Sequence, residues 1–235
     1  MKKLNLSPNF SKITKNSRKI RFVIIHYTGM QSEIASIHRL KDIKFKVSCH
    51  YLINRKGKIT QMVLDKDVAW HAGKSKWKNF VNLNKNSIGI ELVNKGHQFG
   101  YQSFSSLQIN SLIKLCKNLK KKYKISTENF LGHSDIAPLR KTDPGEKFPW
   151  KKLSRHSLGF WYKNKKLDKN FSNKKIENLF FKNIYKIGYR YFAINKKNKK
   201  DKMVVKAFQR RYLSGKVSGK IDIKTYKISH FLANK

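Results

Sequence analysis

The chain has 235 residues, 39% of them hydrophobic, and its 54 Lys and Arg against 13 Asp and Glu give a net charge of +41. This length and apolar content exclude disorder as the general state and allow one medium domain plus a small one. The charge would attract nucleic acid, anionic lipid or an anionic polymer such as bacterial cell wall. Because the lysines are scattered and form no basic stripe interleaved with aromatics, a nucleic-acid groove is disfavoured.

Two absences bear on where the chain acts. The first twenty residues begin with a basic pair but contain no apolar core of a signal peptide, and no later run reaches the ~20 apolar residues of a membrane span. Cys49 and Cys116 are too few and too isolated for a disulfide framework or a structural zinc knuckle, so we expect both thiols to be free. The sequence thus predicts a cytoplasmic protein without a membrane span.

Predicted strands and helices alternate from the start of the chain. Arg21–Tyr27 is an apolar, β-branched run typical of a buried strand. The segment SEIASIHRL then predicts a helix capped by Ser32. Cys49–Ile53 and Ile59–Val63 predict a hairpin whose turn is closed by Gly57.

The alternation continues with a second buried strand and a long helix. Ser87–Val93 predicts the strand. Ser105–Tyr123 predicts an amphipathic helix with lysines on its outer side, because apolar residues recur at steps of three or four: Leu112, Cys116, Leu119 and Tyr123. This order of elements indicates an α/β fold with a mixed central sheet flanked by helices.

The texture of the sequence changes after Trp150. Residues 151–171 are polar, lysine-rich and aperiodic, which is typical of a linker, and we predict domains at 1–155 and 173–235 joined by a linker at 156–172. Cap residues and helical periodicity then predict a small three-helix module. Its predicted helices are Lys174–Ile187 behind Ser172, Lys202–Leu213 behind Asp201, and Ile223–Leu232 behind Asp222.

One loop differs from everything around it. The stretch GHSDIAPLRKTDPGEKFPW, Gly132–Trp150, holds three of the four prolines and has no helical or strand period. Such a loop is held rigidly, as a binding site requires. It contains His133 and Asp143, whose side chains suit zinc, and His26 at the end of the first strand could supply a third ligand. Taken singly, each histidine could equally be a hydrogen-bonded structural residue.

Five motifs, VIIHYTG, SCHYLI, AWHAG, NSIGIELVN and GHSDIAPLRKTDPG, occur in the order and spacing of a known family. Over about residues 20–150 the chain resembles zinc-dependent N-acetylmuramoyl-L-alanine amidases of the amidase-2 type, which are related to peptidoglycan recognition proteins. The resemblance implies a mixed sheet with helices packed on it and one zinc ion per chain, bound by His26, His133 and Asp143. It also implies hydrolysis of the amide between N-acetylmuramic acid, or its anhydro form, and L-alanine in peptidoglycan or muropeptides.

Amide hydrolysis also needs a base for the attacking water and a charge that stabilises the oxyanion. Glu91 lies on a predicted buried strand, where an acidic residue would otherwise need a lysine partner. By resemblance we assign Glu91 as the general base. Lys141, two residues before Asp143, is assigned to the oxyanion by its position in the motif, with a solvated lysine as the alternative.

Other histidines have weaker assignments. His71, in a segment with Trp70 and Trp77, is a candidate for contacting the sugar or peptide, with an exposed loop histidine as an equal alternative. His50 is expected to be structural, since it alternates with its neighbour on a strand. No context gives His97 a role.

The last part of the chain resembles a small three-helix peptidoglycan-binding module. The positions that fit its pattern are Phe208, Gln209, Gly219, Asp222 and Thr225. If this module is a separate anchor, a chain ending near residue 160 should stay folded and cleave soluble muropeptides but lose affinity for insoluble wall. Wall binding would favour the periplasm or cell envelope over the cytoplasm.

The leading interpretation is a monomeric enzyme that acts on peptidoglycan or muropeptides and has no nucleic-acid partner. The alternative is a binding protein of the same fold that recognises muropeptides without cutting them. Non-catalytic relatives typically lack metal ligands, whereas His26, His133 and Asp143 are all present here together with Glu91. The enzyme is therefore favoured.

Overall fold

The structure, a computed structural model, describes residues 3–13, 18–163, 173–194 and 198–235. The strands are β1 Lys3–Leu4, β2 Phe10–Ser11, β3 Phe22–Tyr27, β4 Tyr51–Ile53, β5 Ile59–Gln61, β6 Val68–Ala69, β7 Lys76–Trp77, β8 Phe80–Val81, β9 Ser87–Leu92 and β10 Phe130–Gly132. The α-helices are α1 Glu33–Lys41, α2 Ser106–Tyr123, α3 His133–Ile136, α4 Trp150–Ser154, α5 Asn173–Ile187, α6 Asp201–Tyr212 and α7 Ile223–Ala233. Among these described helices, none combines the length and apolarity needed to cross a membrane.

A mixed six-stranded sheet forms the centre of the fold, in the order β1-β5-β4-β9-β3-β10. Strands β4, β9, β3 and β10 run parallel to one another, whereas β5 is antiparallel to β4 and forms a hairpin with it. The predicted α/β class with a mixed central sheet is confirmed. The predicted hairpin is confirmed too, and its turn contains Gly57 at a φ of 81°, a value that favours glycine.

The two central strands are buried on both faces, which explains why they read as continuous apolar runs. Successive side chains alternate between the faces of a sheet. One set packs beneath α2 in a single apolar cluster: Val23, Ile25, Ile88, Ile90 and Leu92. The other set, on the opposite face, includes Phe22 and Ile24, which belong to a different cluster. His26 and Glu91, being in step with this second set, emerge on the face opposite α2.

The helices α1 and α2 begin where the sequence predicts. The Ser32 hydroxyl accepts the Ala35 N–H at 3.0 Å, and the Ser105 hydroxyl accepts the Gln108 N–H at 3.1 Å. Each bond satisfies an N–H that has no partner within the helix. The predicted apolar side of α2 is buried in the core, with Leu112 and Cys116 fully inaccessible.

The stretch after Trp150 differs from the aperiodic chain that its composition predicts. Trp150–Ser154 forms a short helix, and Leu153 and Leu158 are fully buried in the cluster beneath α2. The Gly159 N–H donates to the Thr127 carbonyl at 2.9 Å. Buried apolar side chains and this backbone hydrogen bond dock the segment, although lysines are frequent in its composition. Residues 164–172 of the predicted linker, and the predicted cap Ser172, lie outside the described residues.

The three C-terminal helices pack against the sheet face opposite α2. Phe180, Ile184 and Phe208 share one cluster of buried apolar side chains with Phe22 and Ile24 of β3. The predicted cap of α7 is confirmed, whereas the predicted cap of α6 is wrong by one residue. The Asp222 carboxylate caps α7 by accepting the Thr225 N–H at 2.8 Å, whereas Asp201 is the first residue of α6 and Lys200 precedes it as the cap.

The peptidoglycan-binding-like pattern marks contacts inside this segment. The Gln209 amide donates to the Lys220 carbonyl at 2.8 Å and accepts the Gly219 N–H at 2.7 Å. Gly219 has a φ of 74°, in the region that favours glycine. These residues therefore fix the turn between α6 and α7. The division of the chain into domains and the wall-binding role stay predictions.

Candidate metal centre

Three buried side chains from distant segments converge at one edge of the sheet. His26 lies at the end of β3, His133 begins α3 directly after β10, and Asp143 lies ten residues further on. The Nδ1 atoms of the two histidines are 2.9 Å apart, and Asp143 Oδ2 is 3.0 Å from the first and 3.1 Å from the second. Because β3 and β10 are parallel neighbours, their carboxyl ends bring these residues together.

The tautomer of His26 follows from a chain of hydrogen bonds behind it. The Ser87 hydroxyl donates to the Leu83 carbonyl at 2.6 Å, so it must accept from His71 Nε2, which lies 3.2 Å away. His71 Nδ1 is then without a proton and accepts from His26 Nε2 at 3.0 Å. His26 therefore presents a bare Nδ1 lone pair to His133 and Asp143.

The same reasoning applies to His133. Its Nε2 lies 3.1 Å from the Ala72 carbonyl oxygen, which can only accept, so Nε2 carries the proton and Nδ1 is bare. The Arg140 guanidinium donates to the same carbonyl, and sharing one acceptor brings its Nη2 to 3.2 Å from His133 Nε2. Each ring is thus held by a hydrogen bond on the nitrogen that faces away from the centre, as is usual for metal-binding histidines.

The result is three acceptor atoms that face one another without a proton to share. His26 is 1%, His133 3% and Asp143 6% exposed, so all three side chains are buried. Burial, with help from His133, lowers the pKa of His26 to about 4, so the ring is neutral near pH 7. Such a set repels itself unless a cation binds, and the three residues could hold a metal ion.

The proline-rich loop is anchored at several points around this centre. The Ser134 N–H donates to the Asp143 carbonyl at 2.8 Å, and the Tyr101 hydroxyl donates to the Pro144 carbonyl at 2.6 Å. The Tyr27 hydroxyl hydrogen-bonds with Thr142 Oγ1 at 3.0 Å. These contacts give the rigidity that the prolines predict. One detail differs from the sequence-based description, since His133–Ile136 forms a helical turn within the loop.

Glu91 lies beside the metal centre because of strand register. In the parallel pair of β3 and β9, Glu91 is directly opposite His26, so both side chains emerge on the same face. Glu91 is 9% exposed, and its Oε2 has no hydrogen-bond partner among the described residues. Burial raises the pKa of Glu91 to about 8, with Asp143 adding to the shift and Lys141 opposing it. No lysine forms an ion pair with Glu91 in the described part of the chain.

The predicted site residues open into one cleft of about 650 Å³. His26, Glu91, His133, Lys141 and Asp143 all line it. Further cationic and apolar side chains complete its walls, among them Arg39, Arg140, Met30, Leu40, Phe45 and Phe99. The cleft thus offers an acid or base, a lysine and a possible metal site within one partly enclosed space, with cations in excess.

His71, the candidate for sugar or peptide contact, is buried and does not lie in an exposed loop. His71 is 6% exposed and sits behind His26, with both ring nitrogens already hydrogen-bonded. His71 nevertheless lines the same cleft, and its contact with a sugar or peptide stays a prediction. Trp77 is 3% exposed and packs against Tyr189, which removes it from the surface. His50 is structural as predicted, since it accepts the Gly89 N–H at 3.0 Å.

Sequence reasoning missed a second polar network at the cleft. The Tyr27 hydroxyl hydrogen-bonds with His97 Nδ1 at 2.9 Å, and His97 Nε2 lies 3.1 Å from a carboxylate oxygen of Glu146. Hydrogen bonding to His97 lowers the pKa of Glu146. These residues come from three separate segments, and no local pattern in the sequence links them.

Comparison with known proteins identifies the class. The Amidase_2 family, N-acetylmuramoyl-L-alanine amidase, matches residues 16–146. The chain is 41% identical over 155 residues to N-acetylmuramoyl-L-alanine amidase AmiD of Escherichia coli, a match covering 61% of this chain and 55% of the relative. It is 35% identical over 164 residues to 1,6-anhydro-N-acetylmuramyl-L-alanine amidase AmpD of Haemophilus influenzae, covering 62% of this chain and 86% of the relative.

A solved structure extends the likeness to nearly the whole chain. The structure of Escherichia coli AmiD in complex with the substrate anhydro-N-acetylmuramic acid-L-Ala-D-gamma-Glu-L-Lys superposes with a TM-score of 0.80 at 30% identity. It covers 95% of this chain and 92% of that one. The chain belongs to the N-acetylmuramoyl-L-alanine amidase family. The family resemblance, and with it the expectation of an amidase-type enzyme, is confirmed.

Proposed function

We propose that the protein is a zinc-dependent amidase that hydrolyses the bond between N-acetylmuramic acid, or its anhydro form, and L-alanine in peptidoglycan or muropeptides. The carrying observation is the set of three acceptors, His26 Nδ1, His133 Nδ1 and Asp143 Oδ2. They lie beside Glu91, whose Oε2 has no hydrogen-bond partner within the described part of the chain. Two nitrogens and a carboxylate oxygen are a common donor set of catalytic zinc, which leaves a further position for water or substrate. The names of the relatives support this substrate class.

In this proposal the protein's side chains divide the chemistry. When bound, zinc lowers the pKa of a coordinated water and polarises a carbonyl. Glu91 takes a proton from the attacking water and delivers it to the amine of the departing L-alanine peptide. This role needs the ionised carboxylate; burial raises the pKa of Glu91 to about 8, and a cation bound beside it would favour the ionised form. Lys141, on the same cleft, stabilises the negative oxygen that develops on the carbonyl.

The substrate must be bound by the walls of the cleft. Muropeptides carry carboxylates along the stem peptide, and the cationic side chains of Arg39, Arg140 and Lys141 line the space that would receive them. The preference for intact wall or soluble anhydro-muropeptide, and the predicted cytoplasmic or envelope location, stay predictions.

Digestion of two substrates tests the proposal. Purified protein with zinc is given intact sacculi and soluble anhydro-muropeptide separately, and the products are identified by mass. Release of a free peptide with an N-terminal L-alanine from either substrate is the expected result, and Lys141→Met should slow it by roughly 10²–10³-fold. Binding of muropeptide by the zinc-loaded protein without any cleavage would support the non-catalytic alternative.

A further inference from the structure

A buried ion pair joins the C-terminal helices to the turn that carries His133. Asp135 lies in α3, two residues after His133, and is 1% exposed. Arg211 of α6 is 4% exposed, and its Nη1 donates to Asp135 Oδ2 at 2.5 Å. The hydroxyl of Tyr189, just after α5, donates to Asp135 Oδ1 at 2.6 Å. Both oxygens of Asp135 are thus held from a distant part of the chain.

The same carboxylate is tied to the strand that precedes the metal centre. Asp135 Oδ2 also accepts the Gly132 N–H at 2.8 Å, at the end of β10. Arg211 reaches this strand directly, since its Nη2 donates to the Phe130 carbonyl at 3.0 Å. Its guanidinium also lies 3.9 Å from the centre of the Trp150 ring. Arg211 therefore contacts both elements that flank His133, the strand before it and the turn after it.

Holding the C-terminal helices against the sheet does not require the polar side chains of Asp135, Arg211 and Tyr189. The shared cluster already holds the C-terminal helices against the sheet. A buried charge pair often contributes little net stability compared with apolar side chains, because desolvation offsets the attraction. Its directional bonds can instead fix one arrangement of the chain. Here they fix the orientation of the first turn of α3, whose first residue is His133.

We propose that Arg211 and Tyr189 are positioning residues for the metal centre, which act through Asp135 on the backbone that presents His133. The C-terminal segment then contributes to metal affinity, whether or not it also binds the wall. The inference rests on the proposed zinc site. A displacement of the turn would move His133 Nδ1 away from His26 and Asp143, and such supporting contacts of a metal ligand typically change affinity 10–100-fold.

Zinc affinity of the full-length protein is the deciding measurement, obtained by competition with a chromophoric chelator. Arg211→Met should weaken zinc binding by roughly 10–100-fold, and Tyr189→Phe should weaken it less. Lys216→Met is the matched control, because Lys216 forms an exposed ion pair with Asp222 at 2.9 Å in the same segment. The control should bind zinc like the natural protein.

Thermal unfolding of the metal-free variants separates positioning from general support. A purely structural role predicts a lower unfolding temperature with unchanged zinc affinity below it, and that result for Arg211→Met would overturn the inference. If Arg211→Met does not fold, Tyr189→Phe decides, since unchanged zinc affinity in this milder variant would equally overturn it. Failure of the natural protein itself to bind zinc would overturn the proposed function, and the inference with it.

Discussion

The two faces of the central sheet are built on the same strands but in different ways. Beneath α2 the side chains of β3 and β9 are apolar and pack without direction, with Ile25 and Ile90 fully buried. On the opposite face, one residue further along each strand, His26 lies beside Glu91 and contacts His71 and His133 from distant segments. A core of the first kind follows from a local pattern, whereas a site of the second kind exists only when the whole fold is assembled.

The comparison predicts that substitutions on the two faces separate stability from chemistry. The largest effect is expected from His133→Ala, which removes one of three converging acceptors. Zinc content should fall from about one per chain to nearly none, because a catalytic zinc site needs its three protein ligands. Elemental analysis of purified protein measures this, with circular dichroism to check that the fold remains. Undiminished zinc would remove His133 from the ligand set.

Glu91→Gln should keep the metal and lose the chemistry. The amide has nearly the shape of the carboxylate but cannot take a proton, so turnover should fall by roughly 10²–10⁴-fold while zinc content stays constant. Rates of muropeptide cleavage at saturating zinc give the comparison with the natural protein. Turnover close to normal would assign the base to another residue.

Leu112→Ala tests the apolar face of the sheet, which packs against α2. Leu112 of α2 is fully buried in the apolar cluster that α2 shares with the sheet, and its truncation leaves a cavity there. The free energy of unfolding should fall by about 2–5 kcal/mol, as measured by urea denaturation, with zinc affinity of the folded protein unchanged. A weaker zinc affinity in the folded variant would mean that the two faces are not independent.

His71→Phe should produce the smallest effect, and on affinity alone. The aromatic ring keeps most of the volume but breaks the hydrogen bond that orients His26, so zinc binding should weaken by roughly 10–100-fold. Chelator competition measures the affinity, and the rate at saturating zinc should remain within a few-fold of normal. If affinity is unaffected but muropeptide binding is lost, His71 contacts the substrate, as the sequence first suggested.

The difference between the two faces of the sheet also decides how much of the fold and of the site can be predicted from the sequence. Strands β3 and β9 are predictable as short, largely apolar runs, and helix α2 as a long segment whose apolar residues recur at steps of three or four. Strand β10 was missed, since Phe130–Gly132 is too short to carry a period. The link between Asp135 and Arg211 spans 76 residues, and no local pattern could reveal it.

The position of His71 had a signal that could have been used. Gly89 lies in the interior of β9, and a glycine in a strand often marks the close approach of another group. That group is the His71 ring, because a Cβ at position 89 would lie 2.3 Å from its Cγ. The metal ligands could be proposed from the motifs, but their tautomers required the surrounding hydrogen bonds.

The close approach of the His71 ring to Gly89 means that the position of this ring depends on the lack of a side chain at residue 89 of β9. A methyl group at this position would force the His71 ring to move, and the ring is hydrogen-bonded to His26 at 3.0 Å. Because a close-packed interior has little free space, the movement of His71 would also displace the His26 ring and its Nδ1 atom. Gly89→Ala changes no charge and no proposed metal ligand, yet it should lower the affinity for the metal.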